Sequence, residues 1–160
     1  MGGNDNLFGY YGNNTFEGGS GADSLYGLTG QDTFLFPLLT DSILGSVDTI
    51  TRFNSASPEN DRLKVGNPTA LPANLFNVGT LTATSLANAT NLAYGAADGS
   101  TGLAVNEAVL FRYGSNFYLS VNNSTDPAFN SGNDLLLKFG TLVGAPSTIG
   151  ALTVGDYFST

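Results

Sequence analysis

The sequence predicts an all-β protein in which a short parallel β-roll continues into an antiparallel β cap with one or two short helices. Three observations support this fold class. A nine-residue period runs through the first quarter of the chain, short alternating apolar and polar segments follow it, and Gly is frequent, with 21 residues among 160. The period and the glycines predict the roll, and the alternating segments predict the cap.

The clearest copy of the nine-residue unit spans Gly18 to Tyr26. With Leu25 at its eighth position, that position is large and apolar in every unit: Leu7, Phe16, Leu25, Phe34 and Ile43. The sixth position always carries a side-chain oxygen: Asp5, Asn14, Asp23, Asp32 and Asp41. Gly fills the fourth position at residues 3, 12, 21 and 30, and the first at residues 9, 18 and 27. A flexible Gly-rich linker is the alternative, but a linker has no reason to repeat a bulky apolar residue every ninth position.

Each part of the unit has a structural task. The first six residues must reverse the chain tightly, and Gly reaches the positive φ angles that such turns use. The last three form a short strand whose eighth residue points inward. Two units, or 18 residues, close one coil, so turns two units apart stack on one edge. Asp5, Asp23 and Asp41 are expected on one edge, and Asn14 and Asp32 on the other.

Stacked carboxylates predict a cation between the coils. Two carboxylates roughly 5 Å apart repel by about 3 kcal/mol at an effective dielectric of about 20. Carboxylate and turn carbonyl oxygens at flexible geometry favour Ca²⁺ over Mg²⁺. Zinc and other metals that prefer soft ligands fit poorly, because the chain has no Cys and no His.

These residues resemble the RTX family, whose repeat is Gly-Gly-x-Gly-x-Asp-x-apolar-x; the match is good over residues 2–35 and partial over 36–44. The resemblance implies two to three calcium ions, held by sixth-position side chains and turn carbonyls. One site would use Gly3, Asp5, Gly18, Ser20 and Asp23. A second, weakened by an uncharged Asn, would use Tyr10, Gly12, Asn14, Gly27, Thr29 and Asp32. A third would use Gly19, Gly21, Asp23, Asp41 and the turn 36–38.

The charge distribution bears on folding and on partners. The chain has 13 acidic and 5 basic residues, and every basic residue lies beyond residue 51. Without metal the acidic first third is expected to repel itself and stay disordered. Nucleic acid and anionic membrane surfaces are unfavourable partners for this net charge of −8, and no apolar run is long enough to span a membrane.

Calcium affinity and Cys content indicate a compartment. Extracellular calcium modules bind at about 10⁻⁴ to 10⁻³ M, far above resting cytosolic calcium. The absence of Cys leaves calcium as the cross-link of a secreted, extracellular or cell-surface module. Met1 falls inside a repeat unit, so we expect the natural polypeptide to continue upstream.

We divide the chain into a roll, residues 1–44, and a cap, residues 45–160, that form one continuous structural unit. Alternating strands are expected at 48–53 and 61–65, and Asp48 and Asp61 are open candidates for a further metal site. Residues 48–160 resemble the C-terminal domain of secreted RTX proteases and the bluetail domain of cyanobacterial surface proteins. Both resemblances imply an antiparallel cap on the roll.

The rest of the cap is predicted from local patterns. Residues 66–107 are expected to be loop, apart from a short helix at 84–93 that ends before Gly95. A hairpin is expected at 108–113 and 116–121, and a third strand at 133–139. Between them, Asp126, Asn130 and Asp134 form either an oxygen-ligand loop or, as we favour, a polar connection.

The C-terminal segment from Leu152 to Phe158 resembles the uncleaved C-terminal region of type I secretion substrates. It is also compatible with a last helical turn or strand packing on the cap. Our first hypothesis is a calcium-binding C-terminal module of a larger protein that folds outside the cell and engages the type I secretion machinery. The rival is a structural or adhesive surface domain rigidified by calcium. We expect no enzyme, because there is no His or Cys for a catalytic pair; carboxylate pairs for glycoside chemistry remain a distant alternative.

Overall fold

The computed structural model describes residues 2–66, 71–97 and 102–160. Within these residues the chain forms thirteen β-strands, one α-helix and two 3₁₀ helices. The predicted all-β class is confirmed, with parallel strands at the N-terminal end and a mainly antiparallel cap. No helix in the described ranges has the length and apolar character that a membrane crossing requires.

The first four strands build the roll in the predicted register. They alternate between two sheets and are β1 (Asn6–Phe8), β2 (Thr15–Phe16), β3 (Ser24–Tyr26) and β4 (Thr33–Phe36). β1 pairs in parallel with β3, with Leu7 opposite Leu25, and β2 pairs in parallel with β4, with Phe16 opposite Phe34. Since partners lie two repeat units apart, one coil takes two units, as expected.

The roll continues beyond the predicted boundary at residue 44. Its next strands are β5 (Asp48–Thr51) and β7 (Arg62–Val65), and between them β6 (Phe53–Asn54) pairs in parallel with a strand of the cap. β5 adds in parallel to β3, with Leu25 opposite Ile50, and β7 adds in parallel to β4, with Phe34 opposite Leu63. Ile50 therefore takes the inward position predicted for Ile43, which instead forms an antiparallel bridge to Ser46.

The cap follows β7. It contains β8 (Leu75–Leu81), α1 (Leu86–Ala97), β9 (Ala108–Tyr113), β10 (Asn116–Val121), β11 (Leu135–Phe139), β12 (Leu142–Val143) and β13 (Gly150–Leu152). The hairpin of β9 and β10 has the predicted bounds, and Gly114 in its turn has a φ of 61°. β11 pairs antiparallel with β10 and parallel with β5, so one eight-stranded sheet runs from the roll into the cap in the order β1-β3-β5-β11-β10-β9-β8-β13.

The prediction for residues 66–107 was wrong in two places. The stretch predicted to be loop contains the strand β8, whose alternation Asn77 and Gly79 interrupt. The helix α1 continues through Gly95 to Ala97, because the buried side chains Ala89, Ala93 and Tyr94 hold its inner face against the sheet. The loop predicted at 67–70 and 98–101 lies outside the described residues.

Two apolar clusters lie on opposite sides of the long sheet. The larger lies between the two sheets of the roll and reaches beneath the cap. In it the ring centroids of Phe34 and Phe16 are 5.1 Å apart in a stacked pair, and those of Phe53 and Phe139 are 5.2 Å apart. The smaller is covered by α1 and contains Tyr94 and Phe111. Phe53 and Phe139 thereby join roll and cap in one core.

The C-terminus is part of the roll. After β13 and a 3₁₀ helix at Val154–Asp156, the chain runs parallel to β7. The Leu63 amide donates to the Tyr157 carbonyl at 2.7 Å, and the Ser159 amide donates to the Leu63 carbonyl at 2.9 Å. Tyr157 and Phe158 are buried. Both predicted alternatives occur in this segment, as a helical turn at Val154–Asp156 and a strand-like bridge at Phe158, and the segment packs on the roll as well as on the cap.

Candidate metal centre

A ladder of aspartates runs along one edge of the roll. The Asp5 amide donates to Oδ1 of Asp23 at 2.7 Å, and the Asp23 amide donates to Oδ1 of Asp48 at 2.7 Å. The Asp48 amide in turn donates to Oγ of Ser42 at 2.8 Å. Asp23 and Asp48 thus each accept a backbone amide of the preceding coil with Oδ1, and Oδ2 of each remains without a hydrogen-bond donor.

A second ladder runs along the opposite edge. The Asn14 amide donates to Oδ1 of Asp32 at 2.9 Å, and the Asp32 amide donates to Oδ1 of Asp61 at 2.9 Å. The second oxygen of Asp61 accepts the Asn54 amide, also at 2.9 Å. This ladder therefore ends in a carboxylate whose two oxygens are both hydrogen-bonded.

Four carboxylate oxygens in the ladders are buried without a hydrogen-bond donor: Oδ2 of Asp5, Asp23, Asp32 and Asp48. Three of these residues are almost fully buried, with side chains exposed by 1% or less, and Asp5 is half-buried. Among the described residues the one ion pair joins Arg52 to Glu59, and it includes no ladder carboxylate. A buried carboxylate oxygen without a donor is costly, so these oxygens need a cation or a proton.

Backbone oxygens would have to complete any metal site. In the described parts of the chain, no three acidic side chains form a cluster suited to a metal ion. Each ion would therefore be held by two ladder side chains and by carbonyls of the stacked turns. Calcium accepts such mixed oxygen ligands, and the donor set fits it.

The glycines make room for this arrangement in two ways. A Cβ at Gly18 would overlap Oδ2 of Asp23, and one at Gly27 would overlap Oδ2 of Asp32. First-position glycines are therefore needed for the close approach of the carboxylate, not for a positive φ. At the fourth position, Gly21 has a φ of 139°, and a Cβ there would overlap the Gly3 carbonyl of the neighbouring coil.

The predicted carbonyl ligands lie in these turns. Gly3, Gly12, Gly19 and Gly21 have positive φ angles, and so has Tyr10, at 63°. The Ser20 carbonyl accepts the Gly3 amide at 2.9 Å, and the Tyr10 carbonyl accepts the Thr29 amide at 3.3 Å. The turns of Gly3 and Ser20, and those of Tyr10 and Thr29, are thus stacked as the RTX resemblance implies. The ligand sets remain predictions.

Asn14 differs from the other sixth-position residues in its contacts. Its side-chain nitrogen donates to the Gly12 carbonyl at 2.8 Å and to Oδ1 of Asp32 at 3.2 Å. Both acceptors belong to the predicted second site. The amide group therefore partly fills the role of a cation there, and reversing it would turn its oxygen toward a bound ion.

Asp41 does not lie on the ladder that the repeat period predicts for it. It ends a 3₁₀ helix, Leu39–Asp41, and its Oδ2 accepts the Leu38 amide at 2.9 Å. Asp48 stands opposite Asp23 instead, 25 residues further along the chain rather than 18. The extra residues between β4 and β5 hold the helix, and Phe36 and Leu39 stand at the first and fourth positions, where a regular turn has glycine. Metal binding by Asp41 remains a prediction.

Burial changes the acidity of the last carboxylate in each ladder. It raises the pKa of Asp48 to about 7, against the opposing hydrogen bond from the Asp23 amide, and the charges of Asp23 and Asp41 raise it further. Burial also raises the pKa of Asp61 to about 6, although the amides of Asn54 and Asp32 oppose it. Both carboxylates are therefore inclined to take a proton when no cation is present.

The loop before β11 has the contacts of a polar connection. Oδ1 of Asp134 accepts the Asn123 amide at 2.9 Å, and Oδ2 accepts the Asn130 amide at 2.7 Å. The Asp126 side chain caps the Ala128 amide at 3.0 Å. Both oxygens of Asp134 are thus occupied within the loop, which agrees with the interpretation that we favoured from the sequence.

The sequence leaves Asp48 and Asp61 as open candidates for a metal site, because carboxylates are ordinary at strand starts and in turns, and their spacing does not follow the 18-residue coil. They lie 25 and 29 residues after their ladder partners. A signal was present in the strands that follow them, since Asp48 and Asp61 each stand two residues before an inward apolar residue, Ile50 and Leu63. In the repeat, the sixth and eighth positions have this same relation.

Comparison with known proteins agrees with the roll. Residues 1–34 match the family model described as the RTX calcium-binding nonapeptide repeat (4 copies). A search of curated proteins found no match to the chain. The matched residues hold Asp5, Asp23 and Asp32, three of the four buried oxygens without donors. The first 34 residues are therefore RTX calcium-binding repeats, and calcium binding is the function that they give this chain.

Proposed function

We propose that residues 1–160 form a calcium-folded module of a larger secreted or surface protein. The module stays unfolded inside the cell, is exported by a type I secretion system, and folds when extracellular calcium enters the aspartate ladders. The observation that carries this proposal is the set of four buried, unpaired carboxylate oxygens in the roll. Those oxygens make the folded state costly without a cation and stable with one.

The calcium affinity expected of such a module supports an extracellular location. Extracellular modules of this kind bind calcium with dissociation constants of about 10⁻⁴ to 10⁻³ M. At the calcium concentration of the cytosol, the charges of the ladder carboxylates would therefore stay uncompensated. At ten times the dissociation constant, each site adds about 1.4 kcal/mol to the stability of the folded state. Two or three such sites contribute a large part of the roughly 5–15 kcal/mol that stabilises a typical domain.

The C-terminal segment supports export before folding. Tyr157 and Phe158 are buried, and the backbone of this segment is paired with Leu63. A secretion system could bind these residues only while the roll is unfolded. The export signal that we assign to Leu152–Phe158 is thus exposed in the calcium-free chain and covered once calcium has folded it.

A reporter fused to residues 1–160 beside a type I exporter tests the export role. We expect secretion of the full chain and loss of secretion when residues 152–160 are removed. The matched control is Leu63→Asp, which breaks the docking partner of the segment but leaves the segment intact, and should still be exported. Secretion that persists without residues 152–160 would reject the signal.

One observation favours the second candidate function, an adhesive surface domain. Three aromatic side chains are exposed at the N-terminal end of the roll: Phe8 by 51%, Tyr10 by 59% and Tyr11 by 84%. Phe8 stacks on Tyr26 at 4.5 Å and on Tyr10 at 5.9 Å. Calcium would rigidify the turns that carry this aromatic cluster, and exposed aromatic clusters are typical of binding faces.

Binding of the purified protein to cell envelopes of its own source tests adhesion. We expect calcium-dependent binding that Tyr11→Ser and Phe8→Ser weaken, while the exposed control Leu92→Ser on α1 leaves it unchanged. Equal binding by all three variants would reject the aromatic cluster as the adhesive face. For the chain itself we propose no enzymatic activity, since its buried ladder carboxylates are assigned to calcium.

A further inference from the structure

We propose that the cap holds a binding site for a small hydroxylated carboxylate, centred on Arg112, in a cleft between the strands β8, β9 and β10 and the loop before β13. The cleft has a volume of about 320 Å³, and its lining includes Thr80, Arg112, Phe117, Pro146, Ser147 and Ile149. It lies outside the matched repeats and shares no residue with the aspartate ladders. The inference therefore goes beyond the proposed function and requires only a folded cap.

A register shift places three functional side chains in one row on the same face of the sheet. Asn77 of β8 stands opposite Leu110 of β9. Thr80, three residues further on, stands opposite Arg112, which is two residues after Leu110 and so on the same face. In a regular strand, residues three apart point to opposite faces, so the shift brings the Thr80 hydroxyl beside the guanidinium. Phe117 of β10 stands opposite Arg112 on the other side.

The buried side chain of Asn77 holds the loop wall of the cleft in place. Asn77 is 3% exposed, its Nδ2 donates to the Thr148 carbonyl at 2.6 Å, and its Oδ1 accepts the Gly79 amide at 3.1 Å. Gly79 has a φ of 75°, and a Cβ there would lie 3.1 Å from Cδ1 of Ile149. The wall is therefore formed before any ligand binds, which lowers the entropic cost of binding.

The guanidinium of Arg112 is available to an anion. The side chain is exposed, and no described residue forms an ion pair with it. None of the described residues that line the cleft is acidic. The guanidinium carbon lies 5.8 Å from the centroid of the Phe117 ring, which leaves the N–H donors at the edge of the group for a ligand. The cleft thus offers a localised positive charge in a chain of net charge −8.

The chemistry of the lining selects the ligand. A planar guanidinium matches a carboxylate, whose two oxygens accept parallel N–H bonds. One positive charge balances a carboxylate but not a phosphate dianion. The hydroxyls of Thr80 and Ser147 can exchange hydrogen bonds with hydroxyl groups of the same ligand. Phe117 and Ile149 offer apolar surface to its carbon skeleton.

The size of the cleft limits the ligand to a single small unit. Its volume is at the low end of the range for small-molecule sites. A free hydroxy acid and one sugar-acid unit of a polysaccharide both fit this description and share the same recognition chemistry. The experiment below distinguishes these two sources.

Binding of glucuronate to the calcium-saturated full chain tests the site, followed by the NMR shifts of backbone amides, with glucose as the uncharged comparison. We expect millimolar affinity for glucuronate. Arg112→Gln should weaken it by about tenfold or more, because hydrogen bonds between charged groups are lost, and glucose should bind the wild type as weakly. Arg52→Gln, which removes a positive charge outside the cleft, is the matched control and should bind glucuronate as the wild type does. Since carboxylates also bind free calcium, all proteins are compared at one calcium concentration.

Two further ligands identify the source of the carboxylate. Tighter binding of a short glucuronate oligomer than of the monomer would support a polysaccharide, and equal binding would support a free acid. Inorganic phosphate or an acidic peptide that binds more tightly than glucuronate would overturn the assignment of the ligand.

The site itself is rejected if the wild type binds no glucuronate, or if Arg112→Gln binds it with unchanged affinity. If Arg112→Gln does not fold at saturating calcium, Thr80→Val decides, because it removes a hydroxyl and keeps the shape of the side chain. We expect Thr80→Val to weaken glucuronate by about threefold, the effect of one lost hydrogen bond, and unchanged affinity would overturn the proposal. Glucuronate binding by a chain that folds without calcium would reject the proposed function and support this site.

Discussion

The amide of Asp23 donates a 2.7 Å hydrogen bond to Oδ1 of Asp48, which lies 25 residues further along the chain. This one bond places a non-repeat aspartate where the next repeat unit would have supplied its own. It also makes Asp23 the central member of its ladder, since its own Oδ1 accepts the Asp5 amide. Loss of the Asp23 charge therefore affects two coil steps, while loss of the Asp5 charge affects one.

Asp23→Asn is predicted to raise the calcium concentration at the folding midpoint more than Asp5→Asn does. The amide keeps the hydrogen bond to the Asp5 backbone but removes a charge from both neighbouring steps. We expect a shift of at least tenfold for Asp23→Asn, or about 1.4 kcal/mol, and a smaller one for Asp5→Asn. A calcium titration followed by circular dichroism measures both. Equal shifts would show that Asp23 serves only one step.

Asn14→Asp is predicted to strengthen the second site. Two carboxylates roughly 5 Å apart repel by about 3 kcal/mol at an effective dielectric of about 20, so the calcium-free roll should lose stability. Calcium should bind more tightly because it now neutralises both charges. The matched control is Asn13→Asp, on the neighbouring exposed position whose side chain caps the Gln31 amide at 2.9 Å. Isothermal titration should show tighter binding for Asn14→Asp alone; looser binding would contradict the site.

Gly18→Ala is predicted to destabilise the calcium-bound protein by about 2 kcal/mol, because the new methyl group overlaps Oδ2 of Asp23. Gly95→Ala is the control. It adds a methyl group with nothing within 4 Å, inside α1, and should stabilise by about 0.5–1 kcal/mol. Urea unfolding at saturating calcium compares the two. A neutral Gly18→Ala would mean that Asp23 does not need the close approach seen here.

The calcium-free protein is predicted to be more folded at pH 5 than at pH 8. Burial raises the pKa of Asp48 to about 7 and that of Asp61 to about 6. A raised carboxylate pKa favours the folded state when the group is protonated, and this contribution is lost as the pH rises through 6 and 7. Circular dichroism in calcium-stripped buffer measures the change, and Asp48→Asn should flatten it. More folded protein at pH 8 than at pH 5 would refute the assignment.

The roll was predictable from the sequence because its turns and strands obey a fixed period. Leu7, Phe16, Leu25 and Phe34 take the inward positions that the period assigns to them. The glycine pattern stops where Phe36 and Leu39 take the first and fourth positions, and from there the chain closes its next coils with insertions of irregular length. The sequence around Asp48 and Asp61 does not indicate how long each insertion is, so their positions in the ladders are evident only from the structure.

The elements of the cap that local sequence patterns specify were predictable, whereas those that depend on contacts between distant segments were missed. The β9 and β10 hairpin follows from Gly114 between two alternating segments. β8 is a strand because it adds to β9, although Gly79 lies within it and its partner begins more than 25 residues later. The return of Phe158 to Leu63 is likewise a contact between distant segments, which local pattern could not reveal.

The central claim is that calcium folds this chain through its aspartate ladders, and far-ultraviolet circular dichroism with and without millimolar calcium tests it most directly. We predict a largely disordered spectrum in calcium-stripped buffer at pH 8 and a β-sheet spectrum after calcium is added, with magnesium unable to replace it. A β-sheet spectrum of the same strength in both buffers would contradict the claim.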